Sequence, residues 1–356
     1  MKIIVNKKKI GEDSPVFTIA EIGCNFEGDI NRAKEMIKVA AEAGIDAVKF
    51  QTFTPKKLLS KYAEKFWEIE GCPGKNQLEE FEQMPQLSFA NYKALKEVAD
   101  KLGVVFFSTP YDEESVDLLE RLGVPLYKIS SMDITHTPFL KYVARKNKPI
   151  IISTGASTIK EVEEAVRIMK EEGNVQIGLL HCITNYPTQD KNINLRMIAH
   201  LRNAFPELPV GYSDHTLPEN GEGIITAAVA LGATIIEKHF TFDNKRPGYD
   251  HEISFDYEGL KRMMIQIRRV EKALGGEEKR PIEAEAKARI HGRRSIVAAR
   301  NIVKGAIISK DMLEIKRPAT GIEPKFIDSL LGKRVRKDIK EDQPIGWEMI
   351  VENEQE

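Results

Sequence analysis

Eight short runs of apolar and β-branched residues along this chain each end in side chains able to do chemistry. The ends carry Glu21 and Asn25, Lys49 and Gln51, Ser108 and Thr109, Lys128 with Ser130 and Ser131, and Ser153 with Thr154 and Gly155. His181 and Thr184, Ser213 with Asp214 and His215, and Glu237 with His239 complete the set. Two lysines, several hydroxyls and a Ser-Thr-Gly turn resemble an anion site, because ammonium groups, hydroxyl donors and turn amides hold phosphate or carboxylate. His215 and His239 are the metal candidates. A strand histidine taken singly is more often a hydrogen-bonded structural residue, but two at neighbouring strand ends can converge on one divalent cation. Two nitrogens with oxygens nearby suit an open octahedral Mn²⁺ or Mg²⁺ site better than closed tetrahedral zinc, and such an ion polarises a carbonyl oxygen. Glu21 and Glu237 are the acid–base candidates, the plainer alternative being an ion pair with Lys49 or Lys238. Lys49 or Lys128 acting as a Schiff-base nucleophile also remains open.

The elements that must position these residues follow from the pattern between them. The runs FTIAEIG, DAVKFQT, GVVFFSTP, LYKISS, PIIISTG, QIGLLHC, LPVGYSD and TIIEKHF read as strands. Between them lie stretches with apolar residues at three- and four-residue steps: Asn31 to Ala43, Phe89 to Leu102, Glu113 to Leu122, Thr158 to Glu171 and Gly221 to Leu231. Alternating strand and helix predicts a closed (β/α)₈ TIM barrel, whose active site lies at the carboxyl ends of the strands. An open doubly wound sheet is the runner-up, and no G-x-G-x-x-G loop follows the first strand to support it. The connection from Phe53 to Gln86, with Trp67, Gly71, Pro73 and Gly74, is long and lacks a sustained helical period, which predicts a lid. A helix from Phe255 to Leu274 ends the barrel domain, residues 1–275, and a charge-rich linker ending in a short helix spans 276–291. Residues 292–356 contain the short β-like runs SIVAA, AIISKDMLEIKR and GKRVRKDI, which predict a small β-rich domain.

Composition narrows the partners. With 53 basic and 54 acidic residues among 356, no net field steers the chain toward nucleic acid or an anionic membrane. No signal-peptide core or membrane-length apolar run occurs, and Cys24, Cys72 and Cys182 do not form a disulfide pattern, so a cytoplasmic protein acting on small molecules is expected.

In order along the chain, AEIGCNFEG, DAVKFQTF, KISS, STGAS, GYSDHT and EKHF closely resemble the sialic acid synthase (N-acetylneuraminate synthase) family, and the segment from Arg293 to Ile322 resembles its antifreeze-protein-like (SAF) domain. The resemblance implies that Lys49, Thr109, Lys128, Ser131, Ser153 and Ser213 grip phosphoenolpyruvate and that Mn²⁺ or Mg²⁺ sits on His215 and His239. It places Gln51, Tyr186, Glu237 and Asp250 near an acceptor sugar, and Glu21 beside the reacting atoms. The implied reaction joins C3 of phosphoenolpyruvate to the metal-activated sugar aldehyde, adds water at C2 and expels phosphate by C–O cleavage. Arg317 matches an arginine that one subunit inserts into its neighbour's barrel, against the sugar's N-acyl group, which implies a domain-swapped homodimer. Three positions depart from the family pattern. Phe26 stands where a histidine is common, Thr184 where bacterial N-acetylneuraminate synthases often carry asparagine, and Tyr249 where proline is usual. N-acetylmannosamine is the expected acceptor, with diacetyllegionaminate-type and spore-coat-polysaccharide-type synthases as alternatives; GYSDHT leans away from pseudaminic acid synthase. A Schiff-base aldolase and a noncatalytic sugar-binding protein are the rivals from other classes.

Overall fold

The computed structural model describes residues 3–67, 74–219 and 221–351. The chain divides into two compact units, Met1–Gly275 and Gly276–Glu356.

The first unit opens with an antiparallel hairpin, β1 (Ile3–Val5) and β2 (Lys8–Ile10), which the sequence reading did not anticipate. Three-residue strands are too short to show a period. Eight parallel strands follow: β3 (Phe17–Gly23), β4 (Ala47–Thr52), β5 (Val105–Pro110), β6 (Tyr127–Ile129), β7 (Ile150–Ser153), β8 (Ile177–His181), β9 (Val210–Asp214) and β10 (Ile235–His239). They run consecutively around a closed barrel, β10 pairing with β3. This is the TIM-barrel fold. Its outer helices are α1 (Ile30–Glu42), α4 (Phe89–Leu102), α5 (Glu113–Leu122), α6 (Thr137–Ala144), α7 (Ile159–Glu171), α8 (Arg196–Ala204), α9 (Gly221–Ala230) and α10 (Tyr257–Leu274). Short helices α2 (Pro55–Leu58) and α3 (Gln77–Phe81) lie in the long connection between β4 and α4. Gly71, Cys72 and Pro73 lie outside the described residues.

Local chemistry sets where the helices begin. Asp29 accepts from the Asn31 and Arg32 amides, Asp112 from the Ser115 amide, and Ser88 and Thr158 form reciprocal capping boxes with Asn91 and Glu161. Helices α6 and α8 were not singled out from sequence: α6 is capped by the His136 ring rather than a hydroxyl or carboxylate, and α8 has no side-chain cap.

Strand alternation divides the barrel interior into two layers. The lower layer is apolar: Ile19, Ala47, Val105, Phe107, Leu126, Ile151, Leu180 and Ile235 pack with Ile3, Val5 and Ile10 of the hairpin. Two residues further along the same strands, the inward positions become Glu21, Lys49, Thr109, Lys128, Ser153 and Glu237.

The second unit has its own core, including Ile296, Ile302, Ile322, Leu330, Val335 and Ile345. Strand β11 (Ser295–Ala298) pairs antiparallel with β12 (Leu313–Lys316). GKRVRKDI makes isolated bridges rather than a strand, through Arg334 to Ile307, Val335 to Ile350 and Ile339 to Ile302. The short helix expected at the end of the linker is Ala286–Gly292, and the segment belongs to this unit.

Candidate active site

One cavity of about 480 Å³ opens at the carboxyl ends of the barrel strands, a volume suited to a small-molecule substrate. Every barrel residue to which the family resemblance gives a role lines it: Glu21, Lys49, Gln51, Thr109, Lys128, Ser131, Ser153, Tyr186, Ser213, His215, Glu237, His239 and Asp250. Arg317 is exposed on the second unit, just after β12.

Two buried lysines and two buried carboxyls form the floor. Sheet register sets His239, Glu21 and Lys49 side by side on β10, β3 and β4. Lys49 Nζ lies 2.7 Å from Glu21 Oε2 and 3.8 Å from Glu237 Oε2, and it donates to Thr109 Oγ1 at 3.3 Å. Lys128 Nζ donates to Ser153 Oγ at 2.5 Å and to the Ile129 carbonyl at 3.2 Å. Ser213 Oγ donates to Glu237 Oε1 at 2.9 Å, and Gln51 Nε2 to Glu21 Oε1 at 3.0 Å. A register shift at Gly23, whose φ is +51°, ends the regular ladder beside Glu21. At Gly155 a Cβ would stand 2.6 Å from the Thr184 methyl and 3.0 Å from Ser131 Oγ, so only glycine lets its amide donate to Ser131 Oγ, at 2.9 Å.

This crowding splits the protonation behaviour of the four groups. Burial dominates at Glu21 and raises its pKa despite the opposing charge of Lys49. At Glu237 burial is outweighed by Lys49, Lys128 and His239, and the pKa falls to about 2. Burial is likewise overcome at Lys49 by Glu21 and Glu237, which hold it cationic. Lys128 is lowered, by burial first and by repulsion from Lys49. The floor thus pairs a carboxyl that takes a proton readily with one held ionised, between two ammonium groups.

The two histidines stand with ring centres 5.4 Å apart. Imidazoles sharing one ion through bonds of about 2 Å put their centres roughly 4.5–5.5 Å apart, so the pair fits a common cation. His215 Nδ1 faces the Ile183 carbonyl at 2.9 Å and must donate to it, which leaves Nε2 as the lone-pair nitrogen. Burial, then the neighbouring His239, pushes the His215 pKa down to about 4, keeping that nitrogen unprotonated near neutrality. His239 Nδ1 lies 3.3 Å from Asp250 Oδ2 without forming a well-shaped hydrogen bond. Among the described residues no group of three or more His, Cys, Asp or Glu side chains surrounds one point. A cation here would complete its shell with other oxygens.

Several strand-end residues turn away from the cavity, because alternate side chains face the helices. Ser108 Oγ bonds Thr52 Oγ1 at 2.7 Å, and His181 Nε2 meets the Ile193 carbonyl at 2.8 Å. Asp214 takes a 2.5 Å contact from Lys238 Nζ, both side chains fully buried, so Lys238 pairs with Asp214 and not with Glu237. Asn25 is a brace, donating to Ser254 Oγ and the Phe240 carbonyl while accepting from the Asp250 amide. Phe26 is buried edge-on against Phe50, so the aromatic ring at this departure belongs to the core. Thr184 and Tyr249 line the cavity.

Sequence reasoning missed Asp133, a buried cavity residue whose Oδ2 lacks a hydrogen-bond partner. Burial raises its pKa to about 7 against the pull of Lys128. It sits in the 3₁₀ turn Ser131–Asp133 directly after β6, within reach of a search carried a few residues past each strand. Also missed was Tyr111; the connection expected as a lid does reach the cavity, through Leu58, Leu59, Phe66, Phe81 and Met84.

Comparison with known proteins places this arrangement. The NeuB family matches residues 36–279 and the SAF domain residues 293–351. The chain is 42% identical over 348 residues to N,N'-diacetyllegionaminic acid synthase of Legionella pneumophila, covering 96% of this chain and 97% of that one. It is 35% identical over 349 residues to human N-acetylneuraminate-9-phosphate synthase, covering 96% and 94%. The crystal structure of N-acetylneuraminic acid synthetase from Leptospira borgpetersenii, in complex with citrate, superposes with a TM-score of 0.73 at 34% identity, over 81% of this chain and 94% of that one. Barrel, floor and matches agree: the chain is a member of the NeuB family of nonulosonic acid synthases, transferases built from a TIM barrel and a SAF domain.

Proposed function

We propose that the chain condenses phosphoenolpyruvate with the open-chain aldehyde of an N-acylated amino sugar, giving a nine-carbon 2-keto acid and inorganic phosphate. The observation that carries this reading is the floor of paired lysines and carboxyls beneath two imidazoles in one cavity. Phosphoenolpyruvate brings two anionic groups, which Lys49 and Lys128 hold with the hydroxyls of Thr109, Ser131, Ser153 and Ser213. Its C3 forms the new bond to the aldehyde carbon; C2 then takes the oxygen of water, and the C2–O bond to phosphorus's oxygen breaks as the ketone forms. Glu21, which holds a proton readily, donates to the aldehyde oxygen, and ionised Glu237 accepts a proton from the water. Gln51 keeps Glu21 in place through Oε1. His215 Nε2 and His239 would hold Mn²⁺ or Mg²⁺, which when bound draws electron density from the aldehyde oxygen.

N-acetylmannosamine is the acceptor expected from the motifs. A domain-swapped homodimer, with Arg317 reaching the partner's sugar, and a cytoplasmic setting belong to the same proposal. Buried free thiols at Cys24 and Cys182 suit a reducing compartment. No described helix is long and apolar enough to cross a membrane. The rival Schiff-base route falls on Lys128, because Lys49 is held cationic.

The test is phosphate release from phosphoenolpyruvate with Mn²⁺ and candidate amino sugars, with and without EDTA. Metal-dependent release with formation of a 2-keto acid is the expected result. Full activity in EDTA, together with borohydride trapping of pyruvate on Lys128, would replace the mechanism by the aldolase route.

A further inference from the structure

The chain between β10 and α10 reaches the cavity as a loop closed at its base by backbone. The Phe255 amide donates to the His239 carbonyl at 2.8 Å, and the Thr241 amide to the Phe255 carbonyl at 2.9 Å. Between these ends the segment bulges outward in the manner of an Ω-loop, exposing Phe242, Asp243, Lys245, Arg246 and Pro247. It then returns to put Tyr249 and Asp250 in the cavity lining. Tyr249 has a left-handed φ of +48°, and Asp250 Oδ2 stands 3.3 Å from His239 Nδ1. A backbone in that conformation persists only where its surroundings over-determine it.

Those surroundings converge on Glu27, in the turn between β3 and α1. Arg246 Nη2 lies 2.6 Å and Arg32 Nη1 2.8 Å from Glu27 Oε2, while His251 Nε2 lies 3.1 Å from Oε1. Arg246 and His251 flank Tyr249 and Asp250 in sequence, so one carboxylate grips the loop on both sides of the residues it presents. Arg32, on α1, ties that carboxylate to the outer helices. His251 is itself buried, its Nδ1 2.7 Å from Thr241 Oγ1 at the base of the loop. Glu27 is also left-handed, with φ +52°, a conformation that glycine adopts at less cost but without these three contacts.

From this convergence we infer that Glu27, which lies outside the cavity lining, is a positioning residue for the acceptor: it latches the 241–254 loop and so sets Asp250 and Tyr249 against the sugar and His239. The inference rests on the proposed condensation, in which Asp250 faces the acceptor. The lysines and hydroxyls proposed for phosphoenolpyruvate come from β4, β5, β6, β7 and β9 and the turn after β6, so the latch acts on one substrate and not on the other. Partly exposed ion contacts contribute little to global stability, and their loss opens the loop locally without unfolding the chain.

The experiment compares the full-length wild type with Glu27→Gln, Glu27→Asp, Arg246→Ala and the Glu27→Gln/Arg246→Ala pair. One readout is the rate of tryptic cleavage after Lys245, on the exposed part of the loop. The other is steady-state phosphate release with phosphoenolpyruvate, Mn²⁺ and either N-acetylmannosamine or a 2,4-diacetamido-2,4,6-trideoxyhexose, whichever the wild type turns over faster. In Glu27→Gln, cleavage is expected to quicken about tenfold and kcat/KM for the sugar to fall about 10–100-fold, while the KM for phosphoenolpyruvate stays within about twofold. Glu27→Asp recovers part of the loss, and the pair is no worse than Glu27→Gln alone, because both changes undo one latch. Arg246→Ala, at an exposed position, shifts both readouts the same way and keeps the test open if Glu27→Gln does not fold. Wild-type cleavage and kinetics in these variants, or equal rises in both KM values, overturn the inference while leaving the condensation in place. Absence of phosphate release by the wild type with both sugars overturns the condensation itself, and the acceptor role of Glu27 with it.

Discussion

Removing Asp214 tests whether the buried pair behind the histidines is a rivet of the barrel. Lys238 Nζ meets Asp214 Oδ2 at 2.5 Å with both side chains fully buried. Asp214 also accepts from Tyr212 OH at 2.8 Å and from Thr216 Oγ1 at 2.9 and 3.1 Å. Lys238 has fewer alternatives, the Thr216 carbonyl at 2.7 Å and the Phe255 ring at 4.8 Å. Asp214→Ala therefore strands a buried ammonium and two hydroxyl donors, and the expected cost is about 3–5 kcal/mol. Lys238→Met leaves a carboxylate still served by two hydroxyls, so its cost falls at the lower end, about 2–3 kcal/mol. Replacing both, Asp214→Ala with Lys238→Met, removes the unpaired charge and recovers a large share, giving a coupling of about 2 kcal/mol in the double-mutant cycle. The assay is equilibrium urea unfolding followed by circular dichroism. With a slope of roughly 2–3 kcal/mol per molar, Asp214→Ala lowers the midpoint by about 1–2.5 M. A shift below about 0.3 M, or a larger loss in Lys238→Met than in Asp214→Ala, would refute the donor count on which the ordering rests.

Glu21→Gln should lower kcat by about 10²–10⁴-fold with little change in the KM for phosphoenolpyruvate, measured by steady-state kinetics; equal losses in both would make Glu21 a binding residue. Asp133→Asn should trade activity for stability. Because the Asp133 pKa is raised to about 7 in the folded state, the native protein binds a proton that the unfolded chain has released between about pH 4 and 7, and wild-type stability falls as pH rises through that window. Asparagine removes this penalty, so the variant gains roughly 2–4 kcal/mol at pH 8 and nothing below pH 4, as pH-dependent denaturation will measure. On the swapped homodimer proposed above, mixing inactive Lys49→Ala with Arg317→Ala, whose KM for the sugar is raised, should lower that KM as subunits exchange, because one barrel in each mixed pair would regain both groups. No recovery on exchange counts against the swapped arm.

Much of this architecture was legible in the sequence, because each barrel strand is a compact apolar run bounded by polar or turn residues, and the signal repeats eight times. The site was legible for the same reason, since chemistry collects where those runs end. Parity was the limit. Listing strand-end residues without alternation drew in Ser108, His181 and Asp214, whose side chains face the helices. Asp133 escaped because it lies in the turn after β6 rather than on the strand. The hairpin escaped because three residues carry no period, and the individual lining residues of the Phe53–Gln86 connection because they are scattered over a long irregular segment.

That hairpin has a consequence for how the molecule turns over. By packing Ile3, Val5 and Ile10 against the lower layer of the barrel, it covers the apolar end of an interior that the strand side chains already fill, away from the cavity at the strands' carboxyl ends. In the condensation proposed above, substrates and product would therefore all pass through the strands' carboxyl ends, where the cavity opens.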